Sequence, residues 1–143
     1  MLAALDSALR SVPMLNTLGI RVEEARTGHL VLRLPVSRAI TTHVGAIHSA
    51  AVFAVGEVTA AVVLGTHPQL TPLVHLQKSS KVKYFLPSHQ DVTAHAEVTP
   101  EMLDAIEASL GGRGAEIEVP VKVLDGHGRD IAELISRFSF RRR

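Results

Sequence analysis

One apolar stretch limits what this chain can fold into more than any other feature of its sequence. Residues 50–64 read AAVFAVGEVTAAVVL, and Glu57 is their one charged residue. The stretch is long enough for about four helical turns but shorter than the ~20 residues that a membrane-spanning helix needs. A helix that is apolar on all sides must be covered by other parts of the protein. We therefore predict a buried helix from about residue 47 to residue 64, ended by Gly65.

The rest of the chain can bury such a helix within a single domain. The chain has 143 residues, of which 46% are apolar and 20% are charged, and we predict one domain over residues 1–143. A net charge of +1 and the absence of Trp argue against a nucleic-acid-binding protein. The absence of Cys excludes disulfides and thiolate ligands and fits a reducing compartment. No signal peptide is apparent, and we expect a cytoplasmic protein that binds neither nucleic acid nor a membrane.

The periodicity of the remaining sequence predicts an α+β fold. A short amphipathic helix, closed by Pro13, precedes two strands, the buried helix follows, and four further strands with one short helix complete the chain. We predict helices over residues 2–11, 47–64 and 102–110, and strands over residues 19–25, 29–36, 73–86, 91–99, 115–124 and 131–140. An antiparallel sheet that wraps around one long central helix satisfies this order.

Glu57 lies in the middle of the predicted buried helix without a neighbour of opposite charge. The residues three and four positions away are Phe53, Ala54, Ala60 and Ala61. Burying an unpaired carboxylate is costly, so Glu57 must be protonated, pair across the fold or face a cavity. It is therefore a candidate catalytic acid or base, although an ordinary structural carboxylate fits the pattern equally well.

The segment before the long helix is the second candidate for chemistry. Residues 41–49 read TTHVGAIHS, a loop of small residues that leads into a helix start. Such a start presents free backbone N–H groups that can stabilise an anion, including the oxyanion of an attacked carbonyl. His43 and His48 are five residues apart, and no third ligand follows at a suitable spacing, so we predict no metal site.

Residues 48–57, HSAAVFAVGE, resemble the motif of the hotdog-fold thioesterase superfamily, in the branch that includes the phenylacetate-degradation-type enzymes. Residues 82–87, VKYFLP, are similar to the strand that ends in an aromatic-x-x-Pro signature in that superfamily. The resemblance implies the hotdog fold, hydrolysis of acyl-CoA without a cofactor, and sites at a dimer interface. It assigns Glu57 as general base or nucleophile and the backbone N–H of Ser49 as oxyanion donor, with His48 shaping the loop.

The chain departs from the superfamily pattern at Thr42, where an Asn or Gln is usual, and at Ser49, where a Gly is usual. The donor at Ser49 is a backbone group and is unaffected, whereas Thr42 has a hydroxyl in place of an amide. We predict that Thr42 orients the substrate or water. The hydroxyl of Thr42 favours one alternative, a non-catalytic module that binds acyl-CoA or an acyl carrier. A third alternative, a hotdog hydratase or dehydratase, is disfavoured because the Asp-x-Asn-Pro-x-His signature of one such branch is absent from this sequence.

Several further residues are candidates for binding the substrate. Lysines near the end of the long strand would suit the phosphates of coenzyme A, although a solvated strand face also explains them. The predicted substrate-binding residues are His43, Gly45, Gln77, Lys81 and Lys83. Ser49 and Glu57 are ~12 Å apart along a straight helix, too far to act on one carbonyl. We therefore expect a homodimer, pairing further to a homotetramer, in which each site combines two chains.

Overall fold

The structure is a computed structural model that describes residues 1–112 and 116–143. Its helices are α1 (Leu2–Arg10), α2 (Pro13–Leu18), α3 (Ser49–Leu64) and α4 (Pro100–Leu110), and its strands are β1 (Arg21–Arg26), β2 (His29–Leu34), β3 (Leu73–Tyr84), β4 (Val92–Glu97), β5 (Ile117–Asp125) and β6 (Asp130–Arg142). None of the helices in these ranges is long and apolar enough to cross a bilayer.

The order of elements agrees with the sequence prediction except at α2. Pro13, predicted to close the first helix, is instead the first residue of α2. Proline suits that position because its ring fixes φ at a helical value and the missing N–H has no intrahelical partner there. Ala115, the predicted start of the fifth strand, lies outside the described residues.

The six strands form one antiparallel sheet in the order β1-β2-β4-β5-β6-β3. The predicted turn at residues 27–28 joins β1 to β2, with Gly28 at φ +70°, a conformation that favours glycine. The turn at residues 126–129 joins β5 to β6. The predicted α+β class with an antiparallel sheet is therefore confirmed, and β1 and β3 form the two edges of the sheet.

The long helix packs on this sheet as predicted, but the sheet covers only part of it. α3 contacts β2, β3, β4, β5 and β6, and Val55, Ala60 and Val63 are fully buried. Phe53 and Glu57, by contrast, are only half-buried. The prediction of a central helix wrapped by the sheet is thus confirmed in part, because one stripe of α3 remains open.

The register of β3 decides which of its side chains face α3. Side chains opposite each other in an antiparallel pair share one face of the sheet. Val82 pairs with Leu134, which approaches Gly56 of α3, so Val82 faces the helix. Lys81 pairs with Ile135, and Lys83 pairs with Glu133. Lys81 and Lys83 therefore lie on the sheet face opposite α3.

Candidate active site at the start of the long helix

The loop before α3 is held in a tight hairpin by backbone hydrogen bonds. The Thr42 N–H donates to the Ala46 carbonyl at 2.7 Å, and the Gly45 N–H donates to the Thr42 carbonyl at 2.9 Å. Gly45 adopts φ +81°, a left-handed conformation that glycine adopts without strain. The Ile47 N–H donates to the Ser88 carbonyl at 2.8 Å, which ties the loop to the segment after β3. The helix start therefore has a fixed position against the end of β3.

Hydrogen bonds occupy all but one of the amides that a helix start leaves unpaired. A helix leaves four such N–H groups, which here belong to residues 48–51. The His48 N–H donates to the Ile40 carbonyl, the Ala50 N–H to His48 Nδ1 at 3.0 Å, and the Ala51 N–H to the His48 carbonyl at 2.9 Å. No described residue accepts a hydrogen bond from the Ser49 N–H. Within the described residues, the donor left free at this helix start is thus the Ser49 N–H, the group that the resemblance implies as oxyanion donor.

A cavity of about 440 Å³ adjoins this helix start. Thr42, His43, His48 and Ser49, four of the predicted site residues, line it together. Gly45 lies between two lining residues, Val44 and Ala46. The other residues of the wall are Val44, Ala46, Ile47, Val52, Tyr84, Phe85, Leu86, Pro87, Ser88 and Ile131.

The cap of α3 fixes the tautomer of His48. Because Nδ1 accepts a hydrogen bond from the Ala50 N–H, it carries no proton. The proton of the neutral imidazole is therefore on Nε2, and His48 lines the cavity. His48 thus both caps the helix and contributes to the cavity wall.

Tyr84 is a residue of this site that sequence reasoning missed. Its hydroxyl donates to the Ser49 carbonyl at 3.3 Å, and its ring lines the cavity. The contact joins the end of β3 to the start of α3. The aromatic signature over residues 82–87 marks this segment in the sequence, but it does not predict that the Tyr84 hydroxyl bonds the Ser49 carbonyl.

Glu57 lies apart from this cavity on the open stripe of α3. It is half-buried, and its carboxylate forms no hydrogen bond or ion pair with any residue in the described ranges. Eight residues of helix separate it from Ser49, which corresponds to ~12 Å along the axis. Glu57 therefore has no partner among the described residues, and it lies too far along α3 to reach a group bound at Ser49 of its own chain.

The remaining predicted binding residues are not brought to the cavity. Lys81 and Lys83 lie on the opposite sheet face, and neither lines the cavity. Gln77 donates through its amide to Ser80 Oγ at 2.8 Å, and Ser80 in turn bonds Ser136 at 2.7 Å. These contacts place Gln77 in a small polar chain between β3 and β6.

Comparison with known proteins adds a family and a set of structural relatives. The model of the family described as "Domain of unknown function (DUF4442)" matches residues 3–137. No curated protein sequence matches the chain. A Pseudomonas aeruginosa protein named as a probable thioesterase aligns with a TM-score of 0.89, at 20% identity over 99% of this chain and 95% of its own. A Haemophilus influenzae thioesterase aligns with a TM-score of 0.78, at 14% identity over 99% and 91%.

A third relative, from Staphylococcus aureus, was solved as two mutants. In one, a glutamate is replaced by alanine, and it aligns with a TM-score of 0.71 at 17% identity over 91% of this chain and 99% of its own. In the other, named as a thioesterase, a glutamine is replaced by alanine, with a TM-score of 0.70 at 17% identity over 89% and 97%. Identities this low show a shared fold rather than a shared activity. The chain therefore belongs to the DUF4442 family and has the hotdog fold of the thioesterase-family proteins that it resembles.

Proposed function

We propose that the protein hydrolyses acyl-CoA thioesters to a free acid and CoA. The observation that carries this proposal is the unpaired Ser49 N–H at the wall of the cavity. An N–H group held at a helix start is a preorganised donor for the negative charge that develops on an attacked carbonyl oxygen. The Nε2–H of His48 is a second donor for the same oxygen, and the Thr42 hydroxyl orients the substrate or water.

The carboxylate in this proposal comes from a second copy of the chain. One thioester carbonyl cannot touch Ser49 and Glu57 of the same helix, since ~12 Å of helix separates them. Two helices packed antiparallel about a two-fold axis bring Glu57 of each chain toward Ser49 of the other. The open stripe that carries Glu57 is the part of α3 available for such packing.

The chemistry proceeds by one of two routes that use the same carboxylate. As general base, Glu57 takes a proton from water while the water oxygen bonds to the acyl carbon, the C–S bond breaks, and the CoA thiolate leaves. As nucleophile, Glu57 bonds to the acyl carbon, releases the thiolate and forms a mixed anhydride that water then hydrolyses. A burst of thiol in rapid mixing distinguishes the second route when hydrolysis of the anhydride is the slower step.

The Staphylococcus aureus mutants support this pairing of positions. The replaced glutamine and glutamate of that protein are fifteen residues apart, and so are Thr42 and Glu57 of this chain. We infer from the equal spacing that Thr42 corresponds to the glutamine of the relative. Both proteins thus have a polar residue and a glutamate at the same spacing in sequence.

A non-catalytic module that binds acyl-CoA or an acyl carrier is the second candidate function. The observation that favours it is the Thr42 side chain, whose oxygen already accepts a hydrogen bond from the Val44 N–H at 3.3 Å. The hydroxyl then offers a substrate one donor hydrogen and one remaining lone pair, whereas an amide offers two donor hydrogens and a carbonyl acceptor. Release of thiol from acyl-CoA separates the two functions.

The test measures free thiol released from a panel of acyl-CoA esters by the wild-type protein and by Glu57→Gln. We expect turnover by the wild type and a loss of ~10²-fold or more in the variant, the usual scale for a lost general base. Glu107→Gln, which changes an exposed glutamate of α4, is the matched control and is expected to keep full activity. Turnover of Glu57→Gln at the wild-type rate would refute the assignment.

A further inference from the structure

The wall of the cavity beside α3 combines a few polar groups with a larger apolar surface. Its polar side chains include those of Thr42, His43, His48, Ser49 and Tyr84, and the Tyr84 hydroxyl meets the Ser49 carbonyl. Ser88 also lines it, but the Ser88 hydroxyl is bonded to the backbone of Gln90. The rest of the wall is aliphatic or aromatic, and none of its described residues is Lys, Arg, Asp or Glu.

The apolar residues of the wall include both exposed and buried side chains. Val44, Phe85 and Leu86 form an exposed lip, with 65%, 49% and 46% of their surface accessible. Ile47 and Val52 are 5% and 4% exposed and belong to the hydrophobic core. A group that enters past the lip therefore ends against packed core, which does not yield easily. At about 440 Å³ the cavity lies in the lower part of the range for small-molecule sites.

Val52 is the wall residue best placed to limit the length of a bound group. It follows Ser49 by three positions on α3, and residues at that spacing are neighbours on one helix face. Side chains of a helix lean toward its N-terminus, so the Val52 side chain leans toward the Ser49 N–H and the cavity. Val52 and Ser49 therefore line the same cavity from neighbouring positions on one face of α3.

Resting on the proposed function, we propose that the acyl group is neutral and apolar, of short to medium length, and that Val52 limits its length. In the wall that one chain contributes, a carboxylate at the far end of the acyl chain would lose its hydration among apolar side chains without a cation to replace it. Each added methylene that packs on the apolar wall instead gains about 0.8 kcal/mol, roughly a fourfold increase in kcat/KM. The site thus accepts fatty acyl groups and rejects dicarboxylic ones.

Chain length and charge are tested with acetyl-, butyryl-, hexanoyl- and octanoyl-CoA, and with glutaryl-CoA as the charged match of hexanoyl-CoA. We expect kcat/KM to rise roughly fourfold per methylene until the cavity is filled, and glutaryl-CoA to react at least ~100-fold more slowly than hexanoyl-CoA. Equal rates for glutaryl- and hexanoyl-CoA would overturn the proposal. Should no ester be hydrolysed, the proposed function fails, and the dissociation constants of hexanoyl- and glutaryl-CoA, measured by calorimetry, decide the specificity separately.

Two substitutions of Val52 test its role in opposite directions. Val52→Ala is expected to move the preferred chain length up by one or two carbons. Val52→Leu is expected to lower kcat/KM for octanoyl-CoA by roughly tenfold, with butyryl-CoA changed about twofold or less. Val62→Ala and Val62→Leu, on the same helix but outside the cavity wall, are the matched controls and keep the wild-type profile. A length profile that is the same in both Val52 variants and the wild type would exclude Val52 as the limit.

Discussion

Thr42 is the site residue that departs most from the thioesterase superfamily pattern, which has the amide side chain of Asn or Gln at this position. Its backbone is held independently of its side chain, because the Thr42 N–H donates to the Ala46 carbonyl. Its hydroxyl oxygen accepts from the Val44 N–H, a turn contact that Asn also makes. An exchange of this side chain therefore changes the donor presented to the cavity without unfolding the loop.

We expect Thr42→Asn to keep or raise the rate of acyl-CoA hydrolysis and Thr42→Val to lower it roughly tenfold. Asn restores an amide donor, whereas Val has nearly the same shape as Thr but no hydroxyl, and one lost hydrogen bond is worth about that factor. Thr41→Val is the matched control, since the Thr41 hydroxyl bonds the Arg38 carbonyl outside the cavity wall. Equal rates for all three Thr42 side chains would show that this position takes no part in the reaction.

Single residues were predictable from the sequence only where local spacing sets their position. Ser49 and His48 follow from the helix start, and the structure places both at the cavity. Lys83 was predicted to bind the substrate, yet it lies on the far sheet face, because a register shift between Gln77 and Ser79 decides which side chains of β3 point where. The hydrogen bond of Tyr84 to Ser49 depends on where β3 ends relative to α3. Local sequence spacing does not predict that relative position.

At the scale of elements, Asp6 fastens α1 to β1. It accepts a hydrogen bond from the Val22 N–H at 2.8 Å and forms ion pairs with Arg21 and Arg10 at 3.1 and 3.0 Å. The hydrogen bond from Arg21, followed by that from the Val22 N–H, lowers the pKa of the Asp6 carboxyl to about 2. The pKa is lowered in the folded state, so ionised Asp6 stabilises the fold at neutral pH.

Asp6→Asn should therefore lower the free energy of unfolding by about 1–2 kcal/mol at neutral pH. Because the carboxyl has an ordinary pKa near 4 when unfolded, this stabilisation is complete above about pH 5 and disappears as the pH falls through about 2. Denaturant unfolding across this range measures the difference from the wild type. Asp104→Asn, on the exposed side of α4, is the control. A cost that stays constant down to pH 2 would contradict the electrostatic account.

The elements themselves were predicted from periodicity, but their contacts were not. The apolar spacing of residues 2, 5 and 9 indicates α1, whereas the partner of Asp6 lies fifteen residues away in another element. Gly56, inside α3, is a second case in which local periodicity does not predict a contact between elements. A Cβ at Gly56 would lie 2.5 Å from Leu134 Cδ1, so this glycine lets the helix approach β6 closely. Sequence reasoning predicts a helix through Gly56, but the reason for a glycine there exists only in the packed molecule.

At the scale of the whole molecule, two surfaces are left without cover by the described residues. β3 is a twelve-residue edge strand of the sheet, and a long edge offers unpaired backbone groups to another strand. The open stripe of α3 carries Phe53 and Glu57, which are both half-buried. Glu57 has no ion-pair partner in the described part of the chain. We expect a second copy to cover both surfaces in an obligate dimer that pairs further to a tetramer. Light scattering should then give the native mass of a dimer or a tetramer and not that of a monomer.

Mixing two inactive variants tests whether the site is shared between copies. Glu57→Gln removes the carboxylate, and Ser49→Pro removes the proposed N–H donor. Proline is well tolerated at the first position of a helix, and His48 already has the extended conformation that the residue before a proline requires. Ser49→Ala keeps the N–H group and should remain active, which separates the amide from the hydroxyl.

In a heterodimer of these variants, both lesions fall in one composite site and the other site is intact. Heterodimers purified through two different affinity tags should therefore recover about half of the wild-type activity, since one site in two is whole. A site built within one chain gives a different result, because each chain of the heterodimer then keeps its own lesion. Folded heterodimers without activity would thus disprove the shared site, whereas recovered activity would assign Ser49 and Glu57 of one reaction to two different chains.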